Sequence, residues 1–121
     1  MARRKSSKKP FTFTVERRPV AKGRPRLGRR GRVFTPERTL IAEALIAEDY
    51  RKLGGPFYEC PVSIEAVFTP ESTRITLTPL GDHTSKLRGD TDNYLKLVGD
   101  ALNGVAYPDD KAVMIIRGEK Q

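Results

Sequence analysis

The segment between Thr35-Pro36 and Gly54-Gly55-Pro56 constrains the fold more than any other, because both of its ends are marked for a helix. Thr35 can cap, and Pro36 suits a first turn, where its missing N–H costs nothing. Glu37 complements the positive end of the helix dipole. Leu40, Ile41, Ala44, Leu45, Ala47 and Leu53 recur at three- and four-residue spacing, which predicts an apolar face; the Gly-Gly-Pro then stops the helix. On both sides of this helix the period falls to two. Phe11, Phe13 and Val15 alternate with Thr12 and Thr14, and Val62, Ile64, Ala66 and Phe68 alternate with Ser63, Glu65 and Val67. These alternations predict strands over 11–15 and 61–69.

A second helix is predicted from about Asp92 to Asn103, with Leu95, Val98 and Leu102 toward a core and Asn103-Gly104 as its stop. Tyr107-Pro108-Asp109-Asp110 makes a tight connection, and 112-AVMIIR-117 reads as a buried strand. Residues 70–89 are rich in small polar residues, and Ile75 and Leu77 give only a faint strand signal. Strands and helices therefore interleave. The expected fold class is α+β (α/β two-layer), with one small mixed sheet packed against two main helices. Residues 1–10 read as a flexible basic arm, and 11–121 as a single domain of ordinary size.

The net charge of +8 is unevenly spread. Thirteen Lys or Arg face one acid, Glu16, up to Arg32; beyond it ten face fourteen. The front therefore carries +12 and the back −4. A basic front suits a polyanion, and an acidic back suits chemistry that needs carboxylates. The segment 19-PVAKGRPRLGRRGR-32 has too much Gly, Pro and Arg for regular structure and reads as a loop or hairpin presenting cations. Lys22, Arg24, Arg26, Arg29, Arg30 and Arg32 are its candidate polyanion contacts, of the phosphate-positioning kind. No apolar run approaches the length of a membrane helix, and the start lacks the apolar segment of a secretory signal. Cys60 is the one cysteine and His83 the one histidine, which excludes an internal disulfide and makes a zinc enzyme improbable. A cytoplasmic setting is expected.

In 89-GDTDNYLK-96, Asp90 and Asp92 stand at or just before the first turn of the second helix. Residues four apart share a helix face, so Asp92, Lys96 and Asp100 line up on one side. If the Asp109-Asp110 loop comes near, three or four carboxylates and one lysine surround a point. Magnesium takes such oxygen ligands, usually one or two carboxylates completed by water and phosphate oxygens. The spacing alone leaves two readings open: a metal site, or a helix start with solvated acids and an ordinary Asp92–Lys96 ion pair.

The string 90-DTDNYLKLVGDALNG-104 followed by 105-VAYPDDKAV-113 resembles the RusA family of Holliday-junction resolvases, whose core reads D-x-D-N-x-x-K, then D-A-L, then a D-D pair. The front resembles it too, since 19-PVAKGRPRLGRRGRVFTPERT-39 looks like the Lys-Gly-Arg-Pro-Arg segment and helix-opening Thr-Pro of phage-type members. The likeness spans roughly residues 11–117. It implies a small homodimeric crossover junction endodeoxyribonuclease that resolves four-way DNA junctions in recombination and repair. The implied cofactor is Mg2+, with Mn2+ as a substitute; no membrane and no small-molecule cofactor is implied. Asp90, Asp92 and Asp110 match the family's metal-binding aspartates, Lys96 matches its catalytic lysine, and Asp109 ranks second within its pair. Asp100 matches another recurring acid, for which a structural role is equally expected, and a phage or prophage gene in a bacterial host is the implied origin. Two departures stand out: family members usually continue into a further strand, and the basic arm 1–10 is extra. The alternative reading is a non-catalytic basic nucleic-acid-binding module with a solvated acidic face.

Overall fold

Phe11, Thr12, Phe13, Thr14 and Val15 form the strand their alternation predicts, β1 (Phe11–Val15). The computed structural model describes residues 8–22, 26–27, 33–34 and 37–121, with the backbone alone at 26–27 and 33–34. Two short strands, β2 (Arg26–Leu27) and β3 (Val33–Phe34), pair antiparallel, so part of the basic segment is a hairpin. Helix α1 runs Glu37–Lys52, with Glu37 in its first turn and Arg51 and Lys52 in its last, the charge order that the helix dipole favours. The expected caps Thr35 and Pro36 lie outside the described residues. Strands β4 (Val62–Phe68) and β5 (Thr73–Pro79) follow, then α2 (Thr91–Leu102) and a 3-10 turn at Asp110–Ala112.

The chain divides into two compact units, Met1–Asp82 and His83–Gln121. In the first, β5 lies between β1 and β4, and all pairings are antiparallel. The observed class is thus α+β, but the three-stranded sheet is antiparallel where a mixed one was expected. β4 and β5 form a hairpin whose turn is tied by Thr69, whose N–H donates to the Ser72 carbonyl at 2.9 Å while its Oγ1 accepts the Ser72 N–H at 3.0 Å. At the other end the Leu80 N–H reaches the Pro61 carbonyl at 2.8 Å.

Register sets which side chains share a face. Phe13 stands opposite Ile75 and Val15 opposite Thr73, while Ile64 faces Leu77, Ala66 faces Ile75 and Phe68 faces Thr73. One side of the sheet is therefore apolar across all three strands. Phe13 and Val15 are buried, 7% and 4% exposed, whereas Phe68 on the same face is 68% exposed. The β1 side is closed by Tyr50 of α1, whose ring lies 5.4 Å from that of Phe11, edge to face, and 5.2 Å from that of Phe13. Such aromatic contacts add to area burial. The Tyr50 hydroxyl donates to the Pro56 carbonyl at 2.5 Å, and the Tyr50 ring fills the space a Cβ on Gly55 needs, so glycine is required there. Lys9, at the edge of the expected arm, is tied down: its carbonyl accepts the Tyr58 hydroxyl at 2.6 Å.

One expectation fails in this unit, and one faint signal proves stronger than expected. Leu40, Ile41 and Leu53 are exposed, and the buried residue of α1 is Thr39. The helix meets β1 through Tyr50, so the stripe of Leu40 and Ile41 is turned elsewhere. The faint signal around Ile75 and Leu77 is in fact a seven-residue strand at the centre of the sheet.

Arg17, just beyond β1, grips Asp49 of α1 with two hydrogen bonds, 2.7 and 3.1 Å. The bond to Arg17 holds the Asp49 carboxyl below its ordinary value. A carboxylate with a depressed pKa stabilises the fold above the ordinary range and loses that contribution as pH falls through its folded value. Asp49→Asn should therefore lower the Tm at about pH 7, and its difference from wild type should shrink as the pH falls through the folded Asp49 value. Thermal melts across pH check this. Phe13→Ala should cost about 3–5 kcal/mol of unfolding free energy in a urea titration, the usual loss for a buried phenylalanine.

Candidate metal and phosphodiester site

α2 begins where Asp90 turns the chain. Asp90 has extended backbone angles (φ −71°, ψ 142°), and its carbonyl accepts the Asn93 and Tyr94 N–H groups at 3.1 and 3.3 Å. Its carboxylate makes no capping bond to the helix. Asp90 therefore occupies the N-cap position through its backbone alone. Asp92 lies in the first turn, with Lys96 one turn on and Asp100 one turn further, all exposed. Among the described residues none of these forms an ion pair, so the Asp92–Lys96 bridge that the spacing allows is absent.

At its far end α2 stops at Asn103, whose N–H returns to the Gly99 carbonyl, and Gly104 takes the positive φ of 77° that such a stop favours. The chain then folds back: Asn103 bridges to Tyr107, and the Tyr107 hydroxyl donates to the Gly99 carbonyl at 3.0 Å. Asp109 caps the 3-10 turn without a side-chain bond, and Asp110 opens it; both are exposed. Among the described residues no three of His, Cys, Asp and Glu lie together closely enough to hold a metal ion. The structure thus sets Asp90 and Asp92 at one helix start and does not gather Asp109 and Asp110 with them. Residues 112–117, expected as a buried strand, form none, and Met114 is 82% exposed. Leu95 is half-buried, while Val98 and Leu102 are exposed.

The donor set nevertheless fits a hard cation in its chemistry. It is all carboxylate oxygen, and among the described residues none of Asp90, Asp92, Asp109 and Asp110 forms an ion pair. Magnesium usually takes one or two carboxylates from protein, a number that Asp90 and Asp92 could meet.

Of the six candidate DNA contacts, Arg24, Arg29, Arg30 and Arg32 lie outside the described residues, and Arg26 is placed by its backbone in β2. Lys22 pairs with Glu43 at 3.4 Å with both side chains exposed, a bridge that adds little to stability.

Sequence reasoning passed over the residues that hold the turn before Asp90. Gly89 donates its N–H to the Tyr94 hydroxyl at 3.1 Å, and its carbonyl accepts the Lys120 ammonium at 3.1 Å. A Cβ on Gly89 would stand 2.9 Å from the Tyr94 ring. The tail is anchored in turn. The Lys120 carbonyl lies 2.6 Å from His83 Nε2, which must carry the proton because a carbonyl only accepts, and the Gln121 carbonyl accepts the Ser85 hydroxyl at 2.9 Å. His83 thus tethers the tail. These partners are far apart in sequence and leave no periodic trace; glycine directly before the DTD was the one visible hint.

Two aspartates at a helix start, a lysine one turn on and a basic front offer groups suited to a phosphodiester substrate. The family model of endodeoxyribonuclease RusA matches residues 16–121, and the chain belongs to that family. No curated protein and no solved structure matches the chain significantly. Membership makes it a nuclease of a Holliday-junction-resolving family that acts on DNA. No helix among the described residues is long and apolar enough to cross a membrane.

Because the Asp90 side chain does not cap α2, Asp90→Ala should cost less than about 1 kcal/mol, the size of the dipole interaction alone. Urea unfolding checks this, and a loss of about 2 kcal/mol would mark the carboxylate as a structural cap.

Proposed function

We propose that this protein cuts four-way DNA junctions by paired, magnesium-dependent phosphodiester hydrolysis, as a homodimer, in recombination and repair. The observation that carries the reading is the D-T-D-N-x-x-K order on the first turns of α2, with both carboxylates free of ion pairs among the described residues, in a chain of the RusA family.

Asp90 and Asp92 would hold the cation, and the resemblance alone adds Asp110 as a third ligand, with Asp109 ranked after it. When bound, Mg2+ supplies a Lewis acid toward a phosphate oxygen, and Mn2+ can replace it. Lys96 lies four residues from Asp92, a rise of about 6 Å along the same helix face. Its ammonium stabilises the negative charge that grows on the scissile phosphate. Lys22, Arg24, Arg26, Arg29, Arg30 and Arg32 bind the backbone of the junction arms and position the branch without reading sequence. Lys22 can exchange its weak pairing with Glu43 for a phosphate.

A two-fold branched substrate cut symmetrically is matched most simply by a two-fold symmetric enzyme. Exposed apolar residues support a second copy: Ile64 and Phe68 in the first unit, and Leu97, Val105, Met114 and Ile115 in the second.

The test is cleavage of a labelled mobile four-way junction with and without magnesium. Wild type should nick opposed strands only when the ion is present. Asp92→Asn should lower the rate at least about 100-fold while binding the junction as tightly as wild type or tighter, since it removes a negative charge near phosphate. Cleavage by Asp92→Asn at the wild-type rate, or wild-type cleavage in excess chelator, would overturn the assignment.

A further inference from the structure

The strongest unassigned feature of the second unit is the double hold on Gly89. Its N–H and its carbonyl belong to the two successive peptide groups that lead into Asp90, and each is bound by a side chain. Tyr94 takes the first and Lys120 the second, both at 3.1 Å. On the other side of Asp90 its own carbonyl is bound into α2. The Asp90 backbone is thus fixed before and after, while its carboxylate makes no capping bond.

The arrangement is built from several elements. Tyr94 stands one turn into α2, and its ring fills the space a side chain at position 89 would need. Lys120 arrives from a tail that passes α2 at Gly118, where a Cβ would stand 2.7 Å from Leu95 Cγ, so only glycine allows that approach. His83 and Ser85 then hold the Lys120 and Gln121 carbonyls. Ordering a lysine side chain costs conformational entropy. Here that ordering directs the ammonium to a carbonyl rather than to the neighbouring Asp90 carboxylate, although an ion pair would be the stronger bond. The carboxylates stay available while their backbone is held.

We propose that Tyr94 and Lys120 are positioning residues that clamp Gly89 and so preset the Asp90 carboxylate for a divalent cation. The proposal rests on the reading of Asp90 as a metal ligand. A site preset in this way needs less free ion to fill, because the cost of ordering the ligand is met before binding.

Two readouts test it on the full chain. The first is hydrogen exchange at the Gly89 and Asp90 amides in metal-free protein, followed by NMR. Tyr94→Phe keeps the ring and removes the hydroxyl, and Lys120→Met keeps the stem and removes the charge. Both should speed exchange there while exchange within β5 stays as in wild type. The second readout is the magnesium concentration for half-maximal junction cleavage. It should rise about ten-fold in both variants, with the rate at saturating magnesium and the metal-free junction affinity preserved. Lys120→Arg, which can still donate to the carbonyl, should restore most of the difference.

Unchanged exchange in both variants overturns the clamp. Faster exchange with an unchanged magnesium midpoint overturns its positioning role. A wild-type protein that cleaves nothing at any magnesium concentration overturns the functional reading instead, and the exchange data then decide on the clamp alone.

Discussion

Asp90 enters α2 through its backbone and makes no side-chain cap bond, and the second unit is arranged around that constraint. A capping aspartate ordinarily uses its side chain on the helix N–H groups. Here the helix is started by the Asp90 carbonyl, the preceding glycine is held by Tyr94 and Lys120, and the tail is tied by His83 and Ser85. Local structure therefore places a carboxyl group at the positive end of a helix dipole without using it as a cap. That is the electrostatic condition a cation site needs before the cation arrives.

The elements built from local pattern were legible in the residues. The alternation of Phe11, Phe13 and Val15 marks β1, the Gly54-Gly55-Pro56 stop lies just past Lys52, and Asn103-Gly104 ends α2. What escaped depends on partners distant in the chain. β5 is read weakly because Thr73, Thr76 and Thr78 dilute its apolar pattern, yet pairing on both sides makes it the centre of the sheet. Conversely, Val113, Met114, Ile115 and Ile116 have the composition of a strand, but composition cannot supply a pairing edge, and all four are exposed. The helix face of Leu40 and Ile41 failed for a related reason: Tyr50, outside the stripe, makes the contact with β1.

The positions of the candidate residues were legible only in part. The spacing of Asp90, Asp92 and Lys96 put them on the opening turns of α2, where the structure has them. Asp109 and Asp110 sit beyond the fold-back at Asn103 and Tyr107, and no three acids converge among the described residues. Magnesium tolerates this better than zinc or calcium would, because it commonly keeps several waters and takes the rest of its shell from phosphate. The family's substrate brings such phosphates with it.

The most direct test of the central claim is therefore the bound cation itself. Mn2+ bound to the protein on an uncleaved four-way junction can be counted by electron paramagnetic resonance, in wild type and in the Asp90→Asn, Asp92→Asn double variant. The account predicts bound Mn2+ in the wild-type complex and its loss in the variant, at equal junction occupancy. Equal Mn2+ binding by the two proteins would show that these aspartates do not hold the metal.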